Sequence, residues 1–121
     1  MMRILLANKP RSYRQVFAGA LRALRPHVEV ITVEPNAVEE EAPRLRPDAV
    51  VCSRTTPALR SAVGVWMEVR LEDGTLLVST SDTGRSKDPN PGLETLLDFV
   101  DRSEEARRAG RTKFESTLET H

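Results

Sequence analysis

The amino-acid sequence predicts one α/β domain in which helices cover both faces of a largely parallel sheet. Residues 4–7 (ILLA) and 49–52 (AVVC) are short, continuously apolar runs, typical of strands that are buried on both faces. Residues 28–33 are rich in β-branched side chains and indicate a strand between them. A helical pattern separates each run from the next, and such alternation favours parallel strands with right-handed crossovers. A chain of 121 residues fits a single domain.

The first helix is predicted over residues 12–24. Ser12 is followed three residues later by Gln15, which is the pattern of a capping box with Ser12 as the N-cap. Pro26 should end the helix, because the residue before a proline is pushed out of the α region. The apolar side chains that recur at helical spacing and should face the core are Phe17, Ala20, Leu21 and Leu24.

A second, shorter helix is predicted before the strand at residues 49–52. Asn36 and Glu39 repeat the cap-and-box pattern. Pro43 falls inside this helix and should kink or shorten it. The side chains expected to face inward are Val38, Ala42 and Leu45.

The second half of the chain departs from the strand–helix repeat. Thr56 is expected to cap a very short helix that has Pro57 at its first position. Residues 65–71 and 75–80 indicate a β-hairpin at the second edge of the sheet, with Gly74 supplying the positive φ of the turn. Residues 81–92 are polar and rich in Pro and Gly, so they predict a loop.

A final helix is predicted to begin near Leu93, and Gly110 is expected to end it. The folded domain would then comprise residues 1–110, and residues 111–121 would form a tail with few apolar anchors. Three alternatives are open for this tail: it frays, it extends the helix, or it docks on a partner. The side chains that mark the buried face of this helix are Leu93, Leu96, Leu97 and Val100.

Composition excludes several classes of function. The 18 basic and 18 acidic residues balance, and aromatic residues make up only 4%, so we expect no nucleic-acid partner. No apolar run approaches the roughly 20 residues of a membrane helix, so we expect no membrane partner and a cytoplasmic location. The single cysteine forms no internal disulfide. Neither metal-ligand spacing nor a Gly-rich phosphate loop is present, so no metal and no cofactor are expected.

The first half of the sequence resembles the receiver domain of bacterial response regulators. The resemblance rests on residues 3–8 (RILLAN), on the helix at 12–24 and on the strand at 48–52 (DAVVC). It implies a flavodoxin-like, three-layer sandwich with strands one to three parallel, a hairpin in the second half and a final helix. It also implies a signalling ancestry, with residues 1–110 forming a single receiver-like domain.

The residues that carry receiver chemistry are missing at the matching positions. Receivers hold magnesium with acidic residues after the first strand, where this chain has Asn8 and Lys9. They accept phosphate on an aspartate at the end of the third strand, where this chain has Cys52. A lysine should follow the fifth strand, but Lys87 comes too late. The resemblance therefore implies a non-catalytic pseudo-receiver that binds another protein and is not phosphorylated on aspartate.

An alternative function is suggested by polar and cationic residues that follow the first and third strands. If these strands are neighbours, their loops converge, since ligands of open α/β sheets bind beyond the carboxyl ends of the strands. The chain would then be a regulatory domain for a small anion or metabolite; the opposing interpretation is a solvated first helical turn. The candidate ligand-binding residues are Lys9, Arg11, Ser12, Ser53, Arg54 and Thr55.

Two features raise the question of an enzyme, and neither leads us to assign a catalytic residue. Cys52 has Arg54 nearby to lower its pKa, but a catalytic cysteine also needs a histidine, and neither His27 nor His121 is placed to serve. We expect Cys52 to be a packed core residue. Residues 82–84 (DTG) match the short signature of aspartic proteases, but those enzymes are all-β, so Asp82 is expected to be a turn residue.

The predicted hairpin also suggests self-association. Residues 75–80 (TLLVST) contain no charge and no proline, and unprotected edge strands of this kind tend to pair with another chain. We therefore expect a homodimer, with Phe114 and Leu118 assisting. The alternative is that residues 81–92 cover the edge. The candidate interface residues are Leu76, Leu77 and Val78.

Overall fold

The structure of the protein, a computed structural model, describes the backbone of residues 2–72, 75–81, 84–86 and 93–119. Side chains are described for residues 2–70, 77–81 and 93–109. The strands are β1 (Arg3–Ala7), β2 (Glu29–Thr32), β3 (Ala49–Cys52), β4 (Trp66–Glu72), β5 (Thr75–Thr80) and β6 (Gly84–Ser86). The helices are α1 (Arg11–Leu24), α2 (Val38–Leu45), α3 (Pro57–Ala62) and α4 (Leu93–Glu119), with a 3₁₀ turn at Pro35–Ala37.

The described strands form one sheet in the order β2-β1-β3-β4-β5-β6. The pairs β1–β2, β1–β3 and β3–β4 are parallel, whereas β4–β5 and β5–β6 are antiparallel. The predicted β-α-β-α-β order of the first half and the hairpin of the second half are thus confirmed. The register sets Ala7 opposite Cys52, so β1 and β3 end side by side.

Alternating side chains of the central strands pack against helices on both faces of the sheet. On one face Ile4, Leu6 and Val51 contact a cluster that includes Leu21 of α1 and Phe99 of α4. The other face is a separate cluster shared with α2 and α3, formed by Leu5, Ala7, Val38, Ala42, Val50, Cys52, Leu59 and Val63. Burial on both faces explains why β1 and β3 appear in the sequence as continuous apolar runs.

The capping box predicted at Ser12 is wrong. Pro10 occupies the N-cap of α1 without a side-chain cap bond, and its carbonyl accepts hydrogen bonds from the amides of Tyr13 and Arg14. Pro10 has φ −72° and ψ 167°, the extended backbone of an N-cap, so the helix begins at Arg11, one residue earlier than predicted, and Ser12 lies exposed in its first turn. The predicted core face is also partly wrong, because Leu24 is 49% exposed. The helix ends before Pro26, as predicted.

The cap predicted at Asn36 is wrong as well, whereas the cap at Thr56 is confirmed. Asn36 lies within the 3₁₀ turn, and Ala37 is the N-cap of α2, with no side-chain bond. Pro43 lies inside α2, which is only eight residues long, in keeping with the predicted shortening. The Thr56 hydroxyl accepts a hydrogen bond from the Leu59 amide at 3.2 Å, and Pro57 is the first residue of α3.

The edge strand at residues 75–80 is covered over its second half, in keeping with the alternative that residues 81–92 cover it. The predicted loop at 81–92 contains β6, which pairs with β5 from Val78 to Thr80. Val78 is 3% exposed and belongs to the core beneath α4, and Leu77 is half-buried. The side chain of Leu76 and the turn residues 73–74 lie outside the described residues. The homodimer stays a prediction, and the pairing of β5 with β6 removes part of the reason for expecting it.

The predicted end of the last helix at Gly110 is wrong, and the alternative that the tail extends the helix is confirmed. Helix α4 continues to Glu119 and crosses the expected boundary between domain and tail. An interior glycine costs a helix only about 1 kcal/mol relative to alanine, and the surrounding Ala, Arg, Lys and Glu residues are good helix formers. The side chains of Phe114 and Leu118 lie outside the described part. None of the helices in the described ranges is long and apolar enough to cross a lipid bilayer.

Candidate functional site

The loops that follow β1 and β3 meet at one end of the sheet. The Lys9 amide donates a hydrogen bond to the Ser53 Oγ at 2.6 Å, which joins the two loops directly. β1 lies between β2 and β3, so the chain leaves β1 toward one side and later returns on the other. This reversal of strand order opens a crevice beyond the carboxyl ends of the strands, where open α/β sheets bind their ligands.

An open cleft of about 350 Å³ lies at this reversal point. Its floor is the end of the two central strands, and its walls come from the loops and from the beginning of α2. The residues that line it are Ala7, Lys9, Pro35, Asn36, Val38, Glu39, Cys52, Ser53, Arg54 and Thr56.

Three of the six residues predicted to bind a ligand line this cleft, namely Lys9, Ser53 and Arg54. The other three do not. Arg11 lines a smaller pocket between α1 and the end of β2. Ser12 is exposed on α1 and lines neither pocket, and Thr55 is buried beneath the loop.

The cleft carries two cations and one carboxylate. Neither Lys9 nor Arg54 forms an ion pair with any residue of the described part of the chain. Glu39 accepts a hydrogen bond from the Thr56 hydroxyl at the rim. Formal charges of +2 from the cations and −1 from Glu39 leave a net charge of +1 in the lining. The sequence analysis missed Glu39, because the run of glutamates at 39–41 is also typical of a solvated helix face.

Glu68 of β4 fixes the loop that carries Ser53 and Arg54. Its Oε2 accepts hydrogen bonds from the Thr55 amide at 2.9 Å and from the Thr55 hydroxyl at 3.0 Å. Arg60 of α3 donates to the same hydroxyl oxygen at 3.0 and 2.7 Å and lies over the Trp66 ring at 4.8 Å. The sequence analysis missed this network, although Glu68 stands between the apolar residues Met67 and Val69 of a strand.

Cys52 is suited to packing and poorly suited to nucleophilic attack. It is 2% exposed, and burial, followed by the nearby charge of Glu68, raises the pKa of the thiol to about 12. The thiol is therefore protonated at neutral pH, and thiolate is the reactive form. His27 is remote from it and contacts Glu104 of α4 at 3.1 Å. Asp82 lies outside the described residues.

The described residues contain no group of three or more His, Cys, Asp or Glu side chains that could hold a metal ion. Compared with protein-family models, with curated proteins and with solved structures, the chain shows no match. The geometry of its own cleft therefore carries the functional argument.

Proposed function

We propose that the chain is a regulatory domain that binds a small anionic metabolite in the cleft beyond β1 and β3. The observation that carries the proposal is the position of Lys9 and Arg54, two cations without an ion-pair partner among the described residues, at the reversal of strand order. By contrast, several arginines elsewhere in the described part, such as Arg14, Arg25 and Arg102, contact a carboxylate. An incoming anion would supply that partner in the cleft.

The lining also suggests what else the ligand carries. Ser53 presents a hydroxyl group and Glu39 presents an acceptor beside the two cations, whereas the Thr56 hydroxyl is already bonded to Glu39 and to the Leu59 amide. A ligand with one anionic group and a hydroxyl or amine satisfies this arrangement, because the donor would be oriented by Glu39 while the anion contacts Lys9 and Arg54. The cleft volume lies at the lower end of the usual range for small-molecule sites.

A thermal-shift titration with inorganic phosphate at constant ionic strength tests the proposal. Phosphate should raise the melting temperature of the wild type and should raise it less in Arg54→Ala and Lys9→Ala. Arg44→Ala is the matched control, because Arg44 is exposed on α2 and lines neither pocket. Equal shifts in all four proteins would show that the rise comes from salt exclusion or from another site, and they would contradict binding in this cleft.

A second candidate function is favoured by the order of the first five strands. The order 2-1-3-4-5 is that of flavodoxin-like sheets, to which receiver domains belong, although β5 runs antiparallel to β4 here. In this interpretation the chain is a non-catalytic pseudo-receiver that acts through a protein partner or as a homodimer. The buried Asn8 and Cys52 stand where receivers carry carboxylates.

This second candidate is tested by incubation with acetyl phosphate and magnesium, followed by measurement of the intact mass. We expect no added phosphoryl group, and a phosphoaspartate would contradict the pseudo-receiver. Sedimentation at micromolar concentration tests the homodimer, which a clean monomer would exclude.

A further inference from the structure

A second pocket, of about 200 Å³, lies between the first turn of α1 and the end of β2. We propose that this pocket binds a carboxylate group of a small molecule, which contacts Arg14. In the ligand-free protein the Glu34 carboxylate occupies the position that the ligand would take. The site uses none of the residues that line the cleft beyond β1 and β3, so it stands independently of the function proposed above. The residues that line it are Arg11, Arg14, Gln15, Thr32, Val33 and Glu34.

Arg14 is the unusual residue of this pocket. Its side chain is only 6% exposed, although arginine is seldom buried without strong partners. The guanidinium donates to the Glu34 Oε1 at 3.3 Å and to the Asn8 carbonyl at 3.5 Å. Both contacts are longer than the 2.7–2.9 Å typical of charge-assisted hydrogen bonds, and a guanidinium has five N–H donors. A buried cation held this loosely has capacity for a better acceptor.

Glu34 shows which acceptor fits. One of its oxygens contacts Arg14, while its side chain is 67% exposed. An exposed carboxylate in a single long contact is easily displaced, because solvent takes over its charge at little cost. An external carboxylate can instead meet the planar fork of Arg14 with both oxygens, the geometry that arginine favours. Arg11, on the same lining, adds a second positive charge.

The polar surroundings of Arg14 support a binding role over a purely structural one. The Asn8 side chain is fully buried, and neither Nδ2 nor Oδ1 has a hydrogen-bond partner within the described part of the chain. Asn8 is also the residue whose carbonyl accepts from Arg14. A structural arginine would be expected to saturate the buried polar groups around it. Asn8 does not line the pocket, so its unpaired amide shows only that Arg14 leaves a neighbouring buried group unsatisfied; the N–H groups that Arg14 itself leaves unused are the donors available to a ligand.

The test is a titration of the ¹⁵N-labelled full chain with sodium acetate, followed by NMR. Acetamide, which is neutral and of the same shape, and sodium chloride at matched ionic strength serve as ligand controls. Acetate should shift the Arg14 Nε–Hε signal and the backbone amides of residues 11–15 and 32–34. Acetamide and chloride should leave these signals unchanged. Equal shifts with chloride or acetamide would overturn the proposal.

Variants of the two charged partners sharpen the test. Glu34→Gln removes the competing charge and should tighten acetate binding about fivefold, as expected for one like charge at contact distance in water. Arg14→Lys keeps the charge but loses the fork, and it should weaken binding about tenfold. Arg44→Ala, on the exposed end of α2, should bind acetate as the wild type does.

Weaker or unchanged binding in Glu34→Gln would overturn the proposal, because Glu34 would then assist or ignore the ligand. If Arg14→Lys does not fold, as judged by circular dichroism, Arg11→Ala replaces it and should weaken binding by a smaller factor. Failure of this site is distinguishable from failure of the cleft, since the phosphate response of Arg54→Ala reports on the cleft alone.

Discussion

Replacement of Glu68 should make the loop that carries Ser53 and Arg54 less ordered and should lower the stability of the whole domain. The Glu68 side chain is 14% exposed, and it is the acceptor for both the amide and the hydroxyl of Thr55. Thr55 is itself only 9% exposed, so solvent is a poor substitute for the lost acceptor. In Glu68→Ala the buried N–H loses its acceptor, and in Glu68→Gln a neutral amide oxygen replaces the carboxylate.

The expected magnitudes follow from the two hydrogen bonds. A buried donor left without a partner costs about 1–3 kcal/mol, and loss of the second charged bond adds to this, so Glu68→Ala should lower the free energy of unfolding by about 2–4 kcal/mol. Glu68→Gln keeps an acceptor and should cost about 1–2 kcal/mol, since bonds to charged groups exceed neutral ones by roughly 1 kcal/mol each. Total stabilities of about 5–15 kcal/mol leave both variants folded.

Urea denaturation measures these changes as a lower midpoint at an unchanged slope. Glu40→Ala is the matched control, because Glu40 is exposed on α2 and should change stability by less than about 0.5 kcal/mol. The phosphate-induced rise in melting temperature should also shrink in Glu68→Gln, since Thr55 lies between Arg54 and Thr56. If Glu68→Ala unfolds at the same urea concentration as Glu40→Ala, the assigned role of Glu68 is wrong.

Two further predictions concern titratable groups. The pKa of the Cys52 thiol is raised to about 12 in the folded protein, whereas it is near 9 in the unfolded chain. The buried, protonated thiol therefore stabilises the fold fully below pH 9, and this stabilisation is lost as pH rises toward 12. Relative to Cys52→Ala, the wild type should therefore lose about 1.4 kcal/mol per pH unit in this window, and iodoacetamide should label the thiol rapidly only in denaturant. Arg25 binds Asp101 through two contacts of 2.8 Å, and this hydrogen-bonded pair lowers the carboxyl pKa. The stabilisation that this ion pair provides is present above the ordinary aspartate pKa and is lost as pH falls below it. Asp101→Asn should therefore have a lower melting temperature than the wild type at pH 7, and the two melting temperatures should converge in acid. A difference in melting temperature that is the same at all pH values would refute this prediction.

The parts of the fold that were predictable from sequence are those decided by local apolar pattern. The strands β1 and β3 are continuous apolar runs because helices cover both faces of the sheet, and no polar residue interrupts them. The predictions that were wrong depended on choices that local pattern leaves open. Ser12 and Pro10 compete for one N-cap, and Gly110 is a helix breaker only when its neighbours are weak helix formers.

The site was less predictable, because partners in it come from distant parts of the chain. The loops at Lys9 and Ser53 could be expected to converge, since they follow buried strands. The inward position of Arg14 follows from helical spacing, because Arg14 precedes Ala18 by four residues and Leu21 by seven and so shares their buried face. The sequence analysis assigned only apolar side chains to that face and therefore missed Arg14, since arginine is seldom buried.

The three carboxylates that surround these loops explain how the two pockets differ. Glu68 is mostly buried; its Oε2 accepts two hydrogen bonds from Thr55 and its Oε1 lies 3.8 Å from Arg70, so it fixes the backbone of the cleft and does not line it. Glu34 is exposed and covers Arg14, so a ligand there has to displace a carboxylate. Glu39 binds a hydroxyl and leaves Lys9 and Arg54 uncovered, so a ligand in the cleft displaces no ion pair. The cleft should therefore bind an anion without the competition that Glu34 imposes. Removal of the Glu34 carboxylate should tighten binding in its pocket, whereas removal of the Glu39 carboxylate should not tighten binding of the proposed ligand in the cleft, because Glu39 is the acceptor for the hydroxyl or amine of that ligand.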